Sequence, residues 1–381
     1  MKRNIIFFLM IVMGITLCSC GKKESSTNID IITYSDSNGF FTQTSDIVEN
    51  QNGYYILSGK DNSDKYIVFL DKSSNESMVL CSKINCNHSL EKVPTDCDSY
   101  VGSVLKESLN YYEGHIYYIG YDTNNYECSL YRISASGSEH EMICKLGKAP
   151  ENSNEYYSYV ITDNYVIYSE SIGNSDKKNT AVLKLYNLKS KATETLYSYE
   201  DNNAKIFDLK ITGENILFRQ ANSDGLFESK LYSYDVKKHA TELISDKVCS
   251  YALRNDKNII YWKSYDGIYE NSVESKENVK LYSSNDDTML GFIACSNEKC
   301  YVYNFSNGAY KQGTDVFIGI LDKDEISSKI YVKREKLIMP LYMGSDRVIM
   351  SLFDKSGRGI GYSLTNDDSI DTNIINCDIA Y

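Results

Sequence analysis

One pattern of polar and apolar positions recurs along the body of the chain: a turn of Gly, Asn, Asp or charged residues, then four or so apolar or aromatic residues. Copies begin at Gly53 (GYYIL), Gly114 (GHIYY), Asn164 (NYVIY), Glu214 (ENILF), Lys257 (KNIIY), Lys299 (KCYVY) and Asp346 (DRVIM), at intervals of 61, 50, 50, 43, 42 and 47 residues. Each copy is followed by a second strand-like stretch, such as KYIVFLDK, CSLYRISA or AVLKLYNL, then by a polar turn and a third stretch such as HEMICKL or TETLYSY. Segments such as KIFDLKI and YSYVITD precede the motif and supply a fourth strand. Four short strands per unit, with no 3.6-residue periodicity, predict an all-β chain folded as a single β-propeller. Two β-sandwiches would not generate equally spaced copies. Seven blades are expected, and a ring of six with an irregular first unit is the alternative. Closure is expected where IDIITYS, Ile29 to Ser35, adds a strand to the last blade near the chain end TNIINCDIAY.

The N-terminus carries a different pattern. Lys2 and Arg3 precede an apolar run, Ile5 to Ile15, too short to cross a bilayer core of about 30 Å as a helix. This reads as a signal peptide. Leu17-Cys18-Ser19-Cys20 resembles the bacterial lipobox, which implies cleavage before Cys20 and a diacylglycerol anchor on its sulfur. GKKESSTN then reads as a polar tether. The expected division is a signal peptide at 1–19, a lipid-anchored tether at 20–28 and the propeller at 29–381, held at the extracytoplasmic face of the cell membrane.

Charge narrows the partners. The chain carries a net charge of −12, and loss of Lys2 and Arg3 brings the mature protein near −14. No basic stripe is present, which excludes nucleic acid. With 34 Tyr, 12 Phe and only 3 Pro, the composition is that of half-buried strands rather than linkers. A monomer is expected.

The longest interval contains CSKINCNHSLEKVPTDC, Cys81 to Cys97, so this cluster is an insertion. It follows SMVLC, the expected outer strand of the first blade, and precedes VGSVLKES, Val101 to Ser108, the expected inner strand of the second. Zinc would accept the thiolates of Cys81, Cys86 and Cys97 with the imidazole of His88. A disulfide from Cys97 to Cys81 or Cys86 suits an exported chain better, because Cys-x4-Cys is loose spacing for a metal knuckle. Free thiols are the third reading. Elsewhere, Cys128 and Cys144 flank the turn SASGS and are expected opposite each other, as are Cys295 and Cys300 around SNEK. Cys249 and Cys377 show no partner. Without Cys18 and Cys20, nine cysteines remain, an odd number.

Lipobox, polar tether, divergent repeats and an early Cys-x4-Cys-x-His…Cys cluster together resemble a group of lipoproteins of Gram-positive anaerobic bacteria with TolB-like or low-density-lipoprotein-receptor-like propeller repeats. The resemblance covers essentially the whole mature chain. LCSKINCNH, Leu80 to His88, looks like that group's Leu-Cys-x-x-Pro-x-Cys-x-His, with Ile84 in the place of proline. What the resemblance implies is architecture and location rather than activity.

Enzyme signatures are missing: no Gly-x-Ser-x-Gly, no His-Glu-x-x-His, no P-loop and no dinucleotide fingerprint. Trp262 is the only tryptophan, which rules out repeated sialidase-type turns. His115, His140 and His239 are scattered and read as packed or exposed bystanders. The chain is therefore expected not to be an enzyme. It is expected to bind an extracellular protein, peptide or polysaccharide through the propeller's loop face, with Ser169 to Ala181 and Lys263 to Glu277 as long recognition loops. The alternative is a metal-binding or thiol-redox protein centred on Cys81, Cys86, His88 and Cys97.

Overall fold

The computed structural model describes residues 45–59, 63–90, 92–148, 158–173, 178–221, 229–283, 289–296, 299–306, 317–322, 325–331, 337–344, 347–353, 359–365 and 373–375. The expected signal peptide, Cys20, the segment Ile29 to Ser35 and Cys377 lie outside these. Among the described residues every regular element is a β-strand. The fold is a propeller of antiparallel four-strand meanders. The first unit is β1 (Ile47–Glu49), β2 (Gly53–Ser58), β3 (Lys65–Asp71) and β4 (Ser77–Val79), with β5 (Tyr100–Gly102) also paired to β3. The second is β6 (Asn110–Tyr112), β7 (His115–Tyr121), β8 (Glu127–Ser134) and β9 (His140–Lys148). The third is β10 (Tyr159–Ile161), β11 (Tyr165–Gly173), β12 (Asn179–Asn187) and β13 (Thr193–Asp201).

The next sheet has seven strands: β14 (Lys205–Thr212), β15 (Asn215–Ala221), β16 (Ser229–Asp235), β17 (Ala240–Leu253), β18 (Asn258–Lys263), β19 (Gly267–Ser272) and β20 (Asn278–Ser283). It is two blades fused through β17, whose first half pairs with β16 and whose second half pairs with β18. The handover falls at Lys247, which adopts a left-handed backbone, φ 55°. Two more meanders complete the series: β21 (Met289–Ser296), β22 (Lys299–Ser306), β23 (Phe317–Asp322) and β24 (Glu325–Tyr331), then β25 (Leu337–Met343), β26 (Arg347–Phe353), β27 (Gly359–Thr365) and β28 (Asn373–Ile375). Among the described residues seven meanders thus follow one another.

The turns explain the spacing. The last residue of the third strand places a side-chain oxygen over the turn amides. Asp71 accepts from the N–H of Ser73 and Ser74 (2.9 and 2.8 Å), Asn187 from Lys189 and Ser190 (2.9 and 2.8 Å), and Asp235 from Lys238 (2.9 Å). Ser272 does the same for Ser275 at 3.2 Å. Four residues on, Asn75, Lys191, His239 and Lys276 take the left-handed conformation that returns the chain as the outer strand. Opposite these four caps, and opposite Ser134 at the same place in the second blade, the second strands line up as Gly53, Tyr165, Asn215 and Asn258, and as His115. Gly53 is therefore structurally equivalent to His115, not to Gly114, and the first copy of the motif stands one residue out of frame.

Much of the tyrosine excess lies in the middle strands. Tyr118 stacks on Tyr131 (centroids 5.5 Å), Phe218 on Tyr232 (5.7 Å) and Tyr261 on Tyr269 (5.4 Å), each pair contributing about 0.5–1.5 kcal/mol beyond area burial. Three sequence expectations need correction. VGSVLKES is not an inner strand: its start belongs to β5 on the first blade, and Asn110–Tyr112 takes the inner position. Ser169 to Ala181 and Lys263 to Glu277 are not long loops. β11 runs on through Gly173 and β12 starts at Asn179, while β19 occupies the middle of the second segment, because GIYENS is itself a strand former.

Inner strands of successive blades are tied by side chains. The Glu107 N–H donates to Asp46 Oδ1 (2.6 Å), the Leu209 N–H to Ser158 Oγ (2.8 Å) and the Ile293 N–H to Ser250 Oγ (3.1 Å). In the other direction, the Tyr159 hydroxyl donates to the Ser108 carbonyl (2.7 Å) and the Tyr251 hydroxyl to that of Asp208. Ser158→Ala should therefore lower stability by about 1–3 kcal/mol, since it orphans a buried amide, read as a lower urea midpoint.

Glu107 keeps exposed surface, yet burial, and then the carboxylates of Asp46 and Asp208, raise its carboxyl from 4.5 to about 7. Between those two values the folded chain holds a proton that the unfolded chain has released. Its contribution to stability is complete below the lower value and is lost as pH rises through the upper one. Glu107→Gln, faced by the same Asp46, Asp208 and Lys106, should match the parent chain at about pH 5 and exceed it in urea midpoint at about pH 8.

Candidate functional site

The Cys81–Cys97 insertion is built on one strand edge. β4 covers β3 only from Val68 to Leu70, and β5 pairs farther back, at Lys65 and Tyr66. The two arms meet at Ile67, whose carbonyl accepts from the Leu80 N–H (3.0 Å) and whose N–H donates to the Ser99 carbonyl (3.0 Å). Cys81 follows Leu80 and Cys97 precedes Ser99 by two residues, so bonding to a single residue of β3 brings them together. Between them are tight turns. The Cys86 N–H reaches the Lys83 carbonyl (3.4 Å), Ser89 and Lys92 exchange backbone bonds, and the Cys97 N–H reaches the Pro94 carbonyl (3.0 Å). Ile84, at the first turn, is 99% exposed.

Side chains brace this frame. Ser82 Oγ donates to Asp98 Oδ2 (2.7 Å), Lys83 pairs with Asp98 Oδ1 (3.1 Å), and the Tyr66 hydroxyl donates to the Leu90 carbonyl (2.6 Å). His140 of the second blade reaches the Asp98 carbonyl. At Gly137 a Cβ would lie 2.6 Å from the Leu80 carbonyl oxygen, so the backbones meet there at a distance only glycine allows.

The result is a cluster of four donors. One ligand atom each from Cys81, Cys86, His88 and Cys97 lies within 4.8 Å of all the others, and Cys97 Sγ is 3.7 Å from His88 Nδ1. Tetrahedral zinc with Zn–S of about 2.3 Å and Zn–N of about 2.0 Å sets S···S near about 3.8 Å and S···N near about 3.6 Å. The donors need to contract by only about 1.2 Å at most, and three thiolates with one imidazole form a set that zinc accepts. Cys81, Cys86 and Cys97 are separate thiols, so the expected bridge from Cys97 is not formed. The reason is geometric: the frame delivers three sulfurs and a ring nitrogen to one centre rather than two sulfurs to each other.

The thiols differ. Burial works against the Cys81 thiolate, but the amides of Lys83 and Asp98, with the thiols of Cys97 and Cys86, outweigh it and hold Cys81 below the ordinary value. Cys86 is pushed up to about 12 by burial and by its hydrogen bonds to Cys97 and Cys81. Cys97 is 4% exposed and lies 3.3 Å from Ser99 Oγ.

Other sequence candidates fall elsewhere. Cys295 and Cys300 stand opposite each other in β21 and β22, Cα atoms 4.1 Å apart, and are joined by a disulfide. Cys128 and Cys144 are not joined to each other: Cys128 faces Gly147 and Cys144 faces Leu130, because the turn itself, with Ile133 opposite His140, sets them one residue out of register and bulges at Cys128/Ser129 and Leu130/Tyr131 add to the shift. Both are buried in one apolar cluster, and burial pushes Cys144 up to about 12. Cys249 is buried against the Trp262 carbonyl (3.3 Å). His115 meets the Glu113 carbonyl, His140 the Tyr118 hydroxyl and His239 that of Tyr234.

No protein-family model and no curated protein matches the sequence. Solved structures do resemble the fold. The β-propeller domain of the Trilobed protease from Pyrococcus furiosus, of open velcro topology, aligns with a TM-score of 0.53 at 10% identity, over 90% of this chain and 98% of that one. A puromycin-hydrolyzing peptidase of Mycobacterium tuberculosis aligns at 0.58 and 8% identity, over 92% of this chain and 56% of that one. A prolyl endopeptidase aligns at 0.60 and 9%, over 88% and 50%. The chain thus spans about half the length of these two peptidases. This company corrects the expectation that the chain is not an enzyme. The solved chains of similar fold named above come from peptidases, so a lack of catalytic motifs within the propeller sequence does not separate it from enzymes.

Alkylation should report the site's electrostatics. In metal-free native protein at about pH 8, iodoacetamide should modify Cys81 first, Cys86 more slowly, and Cys128, Cys144 and Cys249 only after unfolding. Mass mapping of the labelled peptides gives the order, and earlier labelling of Cys144 than of Cys81 would refute it.

Proposed function

We propose that this chain is a metal-clamped propeller serving as a binding module, anchored through Cys20 to the outer face of the cell membrane. The observation that carries the reading is the convergence of Cys81, Cys86, His88 and Cys97 within 4.8 Å on an insertion between two blades. Four protein donors close a tetrahedral site, so the ion supplies rigidity rather than an open position for a substrate. The clamp stiffens the connection between the first two blades, where Lys83, Ile84 and Asn85 are exposed, and so presents a fixed surface to a partner. Peptide is the ligand class this reading favours, because the solved propellers of similar fold belong to peptidases. The anchor is supported by Lys2, Arg3, the apolar run and Leu17-Cys18-Ser19-Cys20.

Elemental analysis of the purified chain should find about one zinc per molecule, in line with a closed four-ligand site. Cys86→Ser and Cys97→Ser should each lose most of it. Parent protein that stays far below one equivalent after incubation with zinc would refute the clamp.

A further inference from the structure

The seam of this ring lies between its first and last blades. All four strands of the last sheet, β25 to β28, come from the C-terminal part of the chain, and β1 to β4 come from the start of the described residues, so these two blades exchange no described strand. Side chains meet across the seam. Tyr54 stands edge-on to Tyr342 with centroids 6.0 Å apart, and Ile349 of β26 joins an apolar cluster that includes Ile47, Tyr54 and Val68.

The insertion reaches the same place. Leu90 and Val93 pack on that cluster, and the Tyr66 hydroxyl holds the Leu90 carbonyl. Both residues lie between His88 and Cys97. An ion bound to His88 and Cys97 closes the segment between them into a short loop, which removes most of its freedom before it meets the seam. Without the ion, the apolar side chains of that loop must be ordered at the expense of their own chain entropy.

We infer that the metal-bound insertion is the latch of the propeller, pressing Leu90 and Val93 onto the joint between the first and last blades. This rests on the metal reading above. Loss of the ion loosens the seam while the blades themselves stay folded, since their ladders do not involve the insertion.

Hydrogen exchange on the full chain tests this, metal-loaded and after chelation. Exchange in β1, β2 and β26 should quicken about tenfold on chelation while β10, β11, β14 and β15 stay unchanged, the signature of local rather than global opening. The double variant Leu90→Ser with Val93→Ser keeps all four ligands, and should quicken the same strands with its zinc still bound. A chain that holds zinc but shows no change at the seam on chelation, or an equal change everywhere, overturns the latch and leaves the metal centre standing. A chain that takes up no zinc overturns both.

Discussion

Each blade starts with an inner strand, and among the described residues no further strand covers that strand's free edge. Unpaired N–H and C=O groups there need partners, and successive sheets need something to hold them in register. Paired residues at one structural position meet both needs. Ser158-Tyr159 and Ser250-Tyr251 each send a hydroxyl in either direction, the serine accepting from the following blade and the tyrosine donating to the preceding one. Asp46 takes the serine's place in the first blade. A carboxylate there brings charge close to Glu107, on which Asp208 also acts, while Lys210 and Arg219 are buried beside Asp208. The Lys210 ammonium lies 3.9 Å from the centre of the Tyr251 ring, so one tyrosine both ties two blades and shields a cation.

The strands were legible because each repeat states its own punctuation. DKSSNE, NLKSKA, DVKKHA and SVESKE share a capping oxygen and a left-handed residue four places after it, and apolar alternation fills the intervals. Where two blades share a continuous strand, the punctuation disappears: ATELISDKVCSYAL holds no Gly or Pro at the handover, and only a left-handed lysine marks it. The Ser-Tyr pairs were also present in the sequence, in YSYVITD and CSYALRN, but their recurrence carries meaning only once inner strands are known to lack a neighbour. VGSVLKES misled for the opposite reason. It has the composition of a strand, yet its pairing is decided by a free edge on another blade.

The site was legible in its residues and not in its geometry. Linear spacing treats Cys81 and Cys86 as one knuckle and Cys97 as a distant addition. In space the important pair is Cys81 and Cys97, joined through Ile67, with Cys86 and His88 carried between them by tight turns. Spacing likewise placed Cys128 against Cys144, but the turn set them one residue out of register and two bulges moved them farther apart, whereas the shorter hairpin of Cys295 and Cys300 left no room for such a shift. Bulges are one-residue events that composition does not announce, and their effect on register grows with distance from the turn.

Position and chemistry of the insertion follow from one imbalance. β3 runs for seven residues, but its outer partner β4 has only three, leaving an open edge of the kind that invites association. The chain covers that edge by doubling back as β5, and the doubling back defines where Cys81 and Cys97 must face each other. An ion held there adds little ordering cost, because backbone bonds to Ile67 already fix both arms. The segment that still needs ordering lies between the ligands, and it is the one that carries Leu90 and Val93 to the apolar cluster that the last blade's Ile349 joins. A device that protects an edge thereby supplies the donors, and the donors hold in place the part of the chain that spans the ring's joint.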